Sequence, residues 1–175
     1  MSHAIVAALL PLAVPVDNLT LDPDNARRGD VEAVRRSLNT FGQRKPIVVK
    51  RTGTDADNRP AGIVTAGNHT LMAALDLGWT EIAAVFTDDD ATTARAYALA
   101  DNRTGELAGW DDAALAASLA ELNAESFDMA SLGWSDTDLA ALLNGGTPTA
   151  GNDDDRPAAA DEPTRCPQCG YEWDG

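Results

Sequence analysis

The stretch Ile63-Val64-Thr65-Ala66-Gly67-Asn68-His69-Thr70-Leu71-Met72-Ala73-Ala74 constrains this chain more than any other. A β-branched apolar run meets a glycine, two polar residues follow, and a helical pattern starts at once. The residues therefore predict a strand, a tight turn and a helix N-terminus. Unpaired backbone N–H groups and the positive end of the helix dipole gather at such a point, which favours an anion. Gly67 lets the backbone come close to a ligand, and Asn68, His69 and Thr70 can add side-chain donors. An ordinary strand-to-helix turn, capped by Asn68 or Thr70, fits the same residues.

Charge limits what else the chain can hold. Residues 1–60 carry 9 Lys/Arg against 7 Asp/Glu, residues 61–149 carry 2 against 14, and residues 150–175 carry 2 against 7. The net charge of −15 excludes strong DNA binding through diffuse phosphate attraction. Direct DNA contact would have to come from the local cluster Arg27, Arg28, Arg35, Arg36, Arg44, Lys45, Lys50 and Arg51. A solvated face with a few ion pairs accounts for the same cluster. No apolar run approaches a membrane span. Residues 4–14 are apolar, but Pro11 and Pro15 interrupt and close the run, and only His3 stands before it in place of a basic signal-peptide start. A cytoplasmic protein is expected.

Along the chain, residues 15–19 read as a short strand and residues 21–29 as a polar, turn-rich loop. Asp30 is a good N-cap for a helix whose apolar face is Val31, Val34, Leu38 and Phe41, closed by Gly42. Residues 46–50 hardly alternate, which predicts a central strand covered on both faces. A polar hairpin over residues 52–60 leads to a second strand at 62–66. The next helix carries Leu71, Met72, Ala74, Leu75 and Leu77 and ends at Gly78, and residues 81–86 form a further strand. An Asp among 88–90 caps a helix over about 91–100, with Asp101-Asn102-Arg103 after it. Helices over about 111–122 and 135–143 complete the pattern. Residues 145–164 are rich in Gly, Pro, Thr, Ala and Asp, the composition of a disordered acidic linker.

Residues 165–175 hold both cysteines, Cys166 and Cys169. Cys-x-x-Cys-Gly followed by an aromatic is half of a zinc knuckle, because two-residue spacing lets both thiolates reach one tetrahedral Zn²⁺. A second pair is missing, so a closed site would need a partner chain, as in a homodimer. An unmetallated tail or a redox dithiol are the alternatives.

Taken in order, the pieces resemble a known family. An Asp-Pro-Asp-Asn-Ala-Arg loop precedes a helix ending in Phe-Gly-Gln, followed by Lys-Pro-Ile-Val-Val. The Ala-Gly-Asn-His-Thr turn, Ala-Leu-Asp-Leu-Gly-Trp and Ala-Asp-Asn-Arg follow. This resembles the N-terminal domain of ParB-type partition proteins, in the ParB/sulfiredoxin superfamily, over residues 12–107. It looks most like the phage and plasmid version found ahead of DNA methyltransferases, a likeness that extends to Leu143. The resemblance implies an α+β fold, a small mixed sheet flanked by helices. A helical extension at 108–144, the linker at 145–164 and the tail would follow the domain.

It also implies a nucleotide site. CTP, or ATP, with Mg²⁺ would set its phosphates on Gly67, Asn68, His69 and Thr70. Asn25, Arg27, Arg28, Gln43 and Asn102 would close around it, with the arginines neutralising charge. For Gln43, a plain helix-to-strand corner is the other reading. The departures matter as much. His69 and Thr70 stand where ParB proteins carry two arginines, and Asn68 stands where sulfiredoxins carry a catalytic cysteine, which excludes sulfinic-acid reduction. Residues 111–143 predict short acidic helices rather than a basic recognition helix, and no methyltransferase motif follows.

Three functions follow from this reading. The first is a stand-alone nucleotide-binding, DNA-associated accessory protein of a phage or mobile element, touching DNA through Arg35, Arg36 and Lys45 or through a DNA-modifying partner. The second is a nucleotide triphosphatase or phosphotransferase with His69 as catalytic acid/base; nuclease chemistry would need the acids at 88–90, 101 and 106 to hold a metal rather than cap helices. The third is an interaction scaffold without nucleotide chemistry.

Overall fold

The computed structural model describes residues 5–143 and the strand pair Thr164–Arg165 and Glu172–Trp173. After a 3₁₀ segment at Ala7–Leu12 come β1 (Ala13–Pro15), a 3₁₀ turn at Val16–Asn18 and β2 (Leu19–Thr20). Next are α1 (Val31–Phe41), β3 (Ile47–Thr54), β4 (Pro60–Ala66), α2 (Asn68–Asp76) and β5 (Glu81–Thr87). The helices α3 (Ala91–Glu106), α4 (Asp112–Ala124) and α5 (Asp136–Leu143) follow, then the pair β6 (Thr164–Arg165) and β7 (Glu172–Trp173). The main sheet has the order β1-β5-β3-β4-β2, with β1–β5 and β3–β4 antiparallel and β3–β5 and β2–β4 parallel. The α+β architecture that the resemblance implied is the one observed.

The expected strand at 15–19 is instead two strands on opposite edges of the sheet. Pro15 ends β1 beside Glu81, and Leu19 opens β2 beside Gly62. Four residue steps reach at most about 14 Å. The edges of a flat five-stranded sheet would stand about 19 Å apart. The sheet must therefore curl until its two edges approach. The turn between them buries Val16 in the core, and Asn18 Nδ2 donates to Asp55 Oδ2 (2.9 Å) and Pro60 O (3.3 Å).

Inside the curl lie Val14, Ile47, Val49, Val64 and Ile82, covered by Leu38 of α1 and by Leu71, Ala73 and Ala74 of α2. Asp30 caps α1 by accepting from the Ala33 N–H, and Leu38 is the buried residue of the expected stripe. Strand β3 is central, as expected, but its residues do alternate: Ile47 and Val49 are buried while Val48 and Lys50 are half-buried. On α2, Met72 and Leu75 point outward, because the small Ala73 and Ala74 let the helix lie close to the sheet. Helix α3 continues past the expected stop near residue 100. Asn102 Nδ2 donates to Ala98 O (2.8 Å), so a residue type that often leaves helices bonds back into this one.

A second apolar cluster joins Leu115 and Leu119 of α4 to Leu139 and Leu142 of α5, with Trp134 against it. It meets the main core region where Phe127 stacks on Phe41 (5.8 Å) at the end of α1. Among the described residues no helix is long and apolar enough to cross a membrane. The strands β6 and β7 pair antiparallel on either side of the Cys-x-x-Cys segment. Cys166 and Cys169, and the linker before Thr164, lie outside the described residues.

Gln43 is the polar key of this core. It is 1% exposed, and its carboxamide bonds both backbone groups of Ala83: Nε2 donates to Ala83 O (2.8 Å) and Oε1 accepts from Ala83 N–H (2.7 Å). Extending the β3–β5 register by one residue brings Pro46, which has no N–H, beside Ala83. The Gln43 side chain supplies the rung that Pro46 cannot. Gln43→Leu would leave a buried donor and acceptor unpaired, at about 1–3 kcal/mol each. We expect a loss of about 2–4 kcal/mol in urea unfolding.

The turn between β3 and β4 responds to pH. The Asn18 side-chain hydrogen bond, then the backbone N–H groups of Arg59 and Asp57, hold the Asp55 carboxyl below its ordinary 3.8. A lowered carboxylate contributes stability above its unfolded pKa, and that contribution fades as pH falls through the folded value. Asn18→Ala should therefore lower the melting temperature at pH 7, and the gap from wild type should narrow at a pH well below the ordinary carboxylate range, leaving the part due to the Asn18 bond to Pro60 O. Thermal unfolding at the two pH values checks this.

Candidate functional site

The loop at residues 21–30 runs between α2 and α3 and has a cleft on each side. One cleft, about 360 Å³, lies against the start of α2 and is lined by Asn25, Arg27, Arg28, Gly29, Asn68 and His69 among others. The other, about 150 Å³, lies against α3 and the outer face of the sheet, where Lys50, Thr65, Arg95 and Asn102 line it. Asp22, Asn25 and Arg27 border both.

Residues at the α2 turn fasten the two ends of this loop. Asn68 is buried; its Oδ1 accepts from the Asp22 N–H (2.9 Å) and its Nδ2 donates to Val64 O (3.2 Å). His69 Nε2 accepts from the Gly29 N–H (2.9 Å), which assigns the ring proton to Nδ1. Within the loop, Asp22 Oδ1 and Asn25 Oδ1 accept from the N–H groups of Asp24 and Arg27 in short turns. Two ion pairs tie its middle to α3, Arg27 with Glu106 and Arg95 with Asp24 (3.8 Å).

At the turn itself, Gly67 has φ 99°, and a Cβ there would lie 2.5 Å from Ile47 Cγ2. Only glycine meets both demands, the left-handed backbone and the close strand. Among the described residues no side chain caps α2, so its first amides lack the capping oxygen that Asp30 and Asp90 give α1 and α3. The end of α2 that the sequence marked for an anion thus has no carboxylate bonded to its first amides among the described residues. Among the described residues no three His, Cys, Asp or Glu side chains gather as a metal site.

No family model matches this chain, and neither does any curated protein. Solved structures do. The chromosome-partitioning protein ParB from Caulobacter crescentus, complexed with CTP-gamma-S, is 19% identical over 75% of each chain with a TM-score of 0.61. Sulfiredoxin from Arabidopsis thaliana is 23% identical over 51% of this chain and 98% of that one, at 0.36. A Pnob8-like ParB-N domain is 20% identical over 65% and 47%, at 0.41. The chain has a ParB-like fold.

Within this ParB-like fold, the residues read from the sequence divide. Asn25, Arg27, Arg28, Asn68 and His69 share the larger cleft, and Asn102 lines the smaller one. Thr70 is half-buried on α2 and lines neither, and Gln43 sits in the core below. Lys50, Thr65 and Arg95 were missed as lining residues. The signal for the first two was there: Lys50 and Thr65 fall on the face opposite Val49 and Val64, and reading β3 as covered on both sides hid it.

The basic cluster is also partly spent. Arg35 makes a two-point bond to Glu32 and holds that carboxyl below its usual range, and Arg51 pairs with Asp88 while stacking over Phe86. Arg28, Arg36, Arg44, Lys45 and Lys50 make no ion pair among the described residues.

Gly29 offers a direct test of the fastening. A Cβ at this position would stand 2.9 Å from both Cε1 and Nδ1 of His69. Gly29→Ala should push the ring away, break its bond to the loop and speed amide hydrogen exchange across residues 22–30, leaving exchange in β3 and β5 unchanged.

Proposed function

We propose that this chain is a nucleotide-binding, DNA-associated accessory protein of a phage or other mobile element. The phosphates would occupy the larger cleft, against the start of α2. Arg28 carries this reading: an exposed guanidinium with no ion pair among the described residues borders the same cleft as the uncapped helix end. A helix N-terminus and a guanidinium fork act together on phosphate oxygens, the one through backbone amides and the other through paired N–H groups. The likeness to a ParB solved with CTP-gamma-S supports CTP as the first nucleotide to try, with ATP next. Mg²⁺ would arrive on the phosphates, since it keeps most of its ligands from nucleotide and water.

In this reading His69 is a positioning residue. Its Nε2 is engaged with Gly29, which favours a role in holding the loop over one in proton transfer. The DNA association is the weaker electrostatic partner. Exposed Arg36, Arg44 and Lys45 support a small direct contact, and the net charge of −15 supports delivery through a DNA-modifying partner. Cys166 and Cys169 would add a dimer contact by sharing one Zn²⁺ between two chains, because a closed tetrahedral site needs four ligands.

Calorimetric titration with CTP, ATP and GTP, each with Mg²⁺, tests the nucleotide. We expect one of them to bind wild type and to lose at least about tenfold in Arg28→Ala, the value of a charge-assisted hydrogen bond. No binding of any of the three would overturn the proposal.

A further inference from the structure

Arg27 borders both clefts, and its guanidinium is paired with Glu106, the last residue of α3. Glu106 is oddly placed for its own helix. A carboxylate at a helix C-terminus faces the negative end of the dipole and the unpaired carbonyls, where Lys or Arg is favoured. Two arginines hold it there: Arg27 from the loop and Arg103 from the preceding turn (3.4 Å). Across the loop the end of α2 has the opposite character: no side chain among the described residues caps its amides, and Arg27 and Arg28 outnumber the one carboxylate of that cleft, Asp22, whose Oδ1 accepts from the Asp24 N–H.

We propose that Glu106 is a built-in competitor for the ligand's phosphates, occupying Arg27 while the cleft is empty. The proposal rests on the phosphate site of the preceding section and adds how that site is held back. An arriving polyphosphate offers Arg27 more oxygens and more charge than one carboxylate. Arg27 turns to it, and Glu106 keeps Arg103. The exchange removes one of the two ion pairs tying the loop to α3, the other being Arg95 with Asp24. Phosphate binding and attachment of the loop to the end of α3 therefore oppose each other. By linkage, any partner that takes hold of Glu106 raises affinity for the phosphate by the same factor. The pair is about half exposed, at 40% and 47% for the two side chains, so the restraint is modest and falls with salt.

The test uses the full chain and two probes, inorganic tripolyphosphate and CTP with Mg²⁺, in wild type, Glu106→Gln, Arg27→Ala and the double variant. We expect Glu106→Gln to bind both probes about two- to fivefold tighter at low salt, the range set by an exposed ion pair. The gain should vanish in the Arg27→Ala background, as a double-mutant cycle requires of a contact acting through Arg27. In wild type, tripolyphosphate should speed hydrogen exchange at residues 99–107. Binding by wild type with no gain in Glu106→Gln, or a gain that persists without Arg27, overturns the competitor and leaves the phosphate site standing. Failure of both wild type and Glu106→Gln to bind either probe overturns both.

Discussion

The three residues between β1 and β2 hold the rest of the structure to one shape. They carry the chain from one edge of the five-stranded sheet to the other, over a distance that a flat sheet could not allow. The sheet curls, its inner face becomes the core, and α1 and α2 close that core from one side. Asn18 and Asp55 pin the crossing at one end, and Gln43 completes the ladder where Pro46 cannot.

The curl also decides where the functional loop lies. The loop leaves β2, an edge strand parallel to β4, and β4 leads directly into the Gly67 turn. The loop and the start of α2 are therefore neighbours by topology, and hydrogen bonds at Asp22 and Gly29 fix the distance. Two residues of that turn, Asn68 and His69, hold protein backbone while lining the cleft. The loop they fasten carries Arg27 and Arg28 along the border of the same cleft.

Much of the fold was legible because its signals are local. Asp30, Asp90 and Asp111 each precede a helix and each caps it, and Gly67 announces a turn that only glycine can make against Ile47. The misreadings share a cause. Residues 15–19 have strand-like chemistry throughout, yet the middle three form a turn because the flanking residues pair with different partners. Asp101-Asn102-Arg103 looks like a loop, yet remains helical because Asn102 bonds back to Ala98. Pairing partners and side-chain direction are absent from local composition.

By itself, the sequence determined the element types, the glycine turn and the acidic charge balance. Those depend on backbone stereochemistry, capping and charge, which act within a few residues. Only the tertiary structure decided which polar side chains remain free. Gln43, Asn68 and His69 are engaged with backbone 40, 46 and 40 positions away, whereas Arg28 is left open beside the same cleft. A polar group's availability depends on what the fold brings within hydrogen-bond distance, and that is a property of long-range contact.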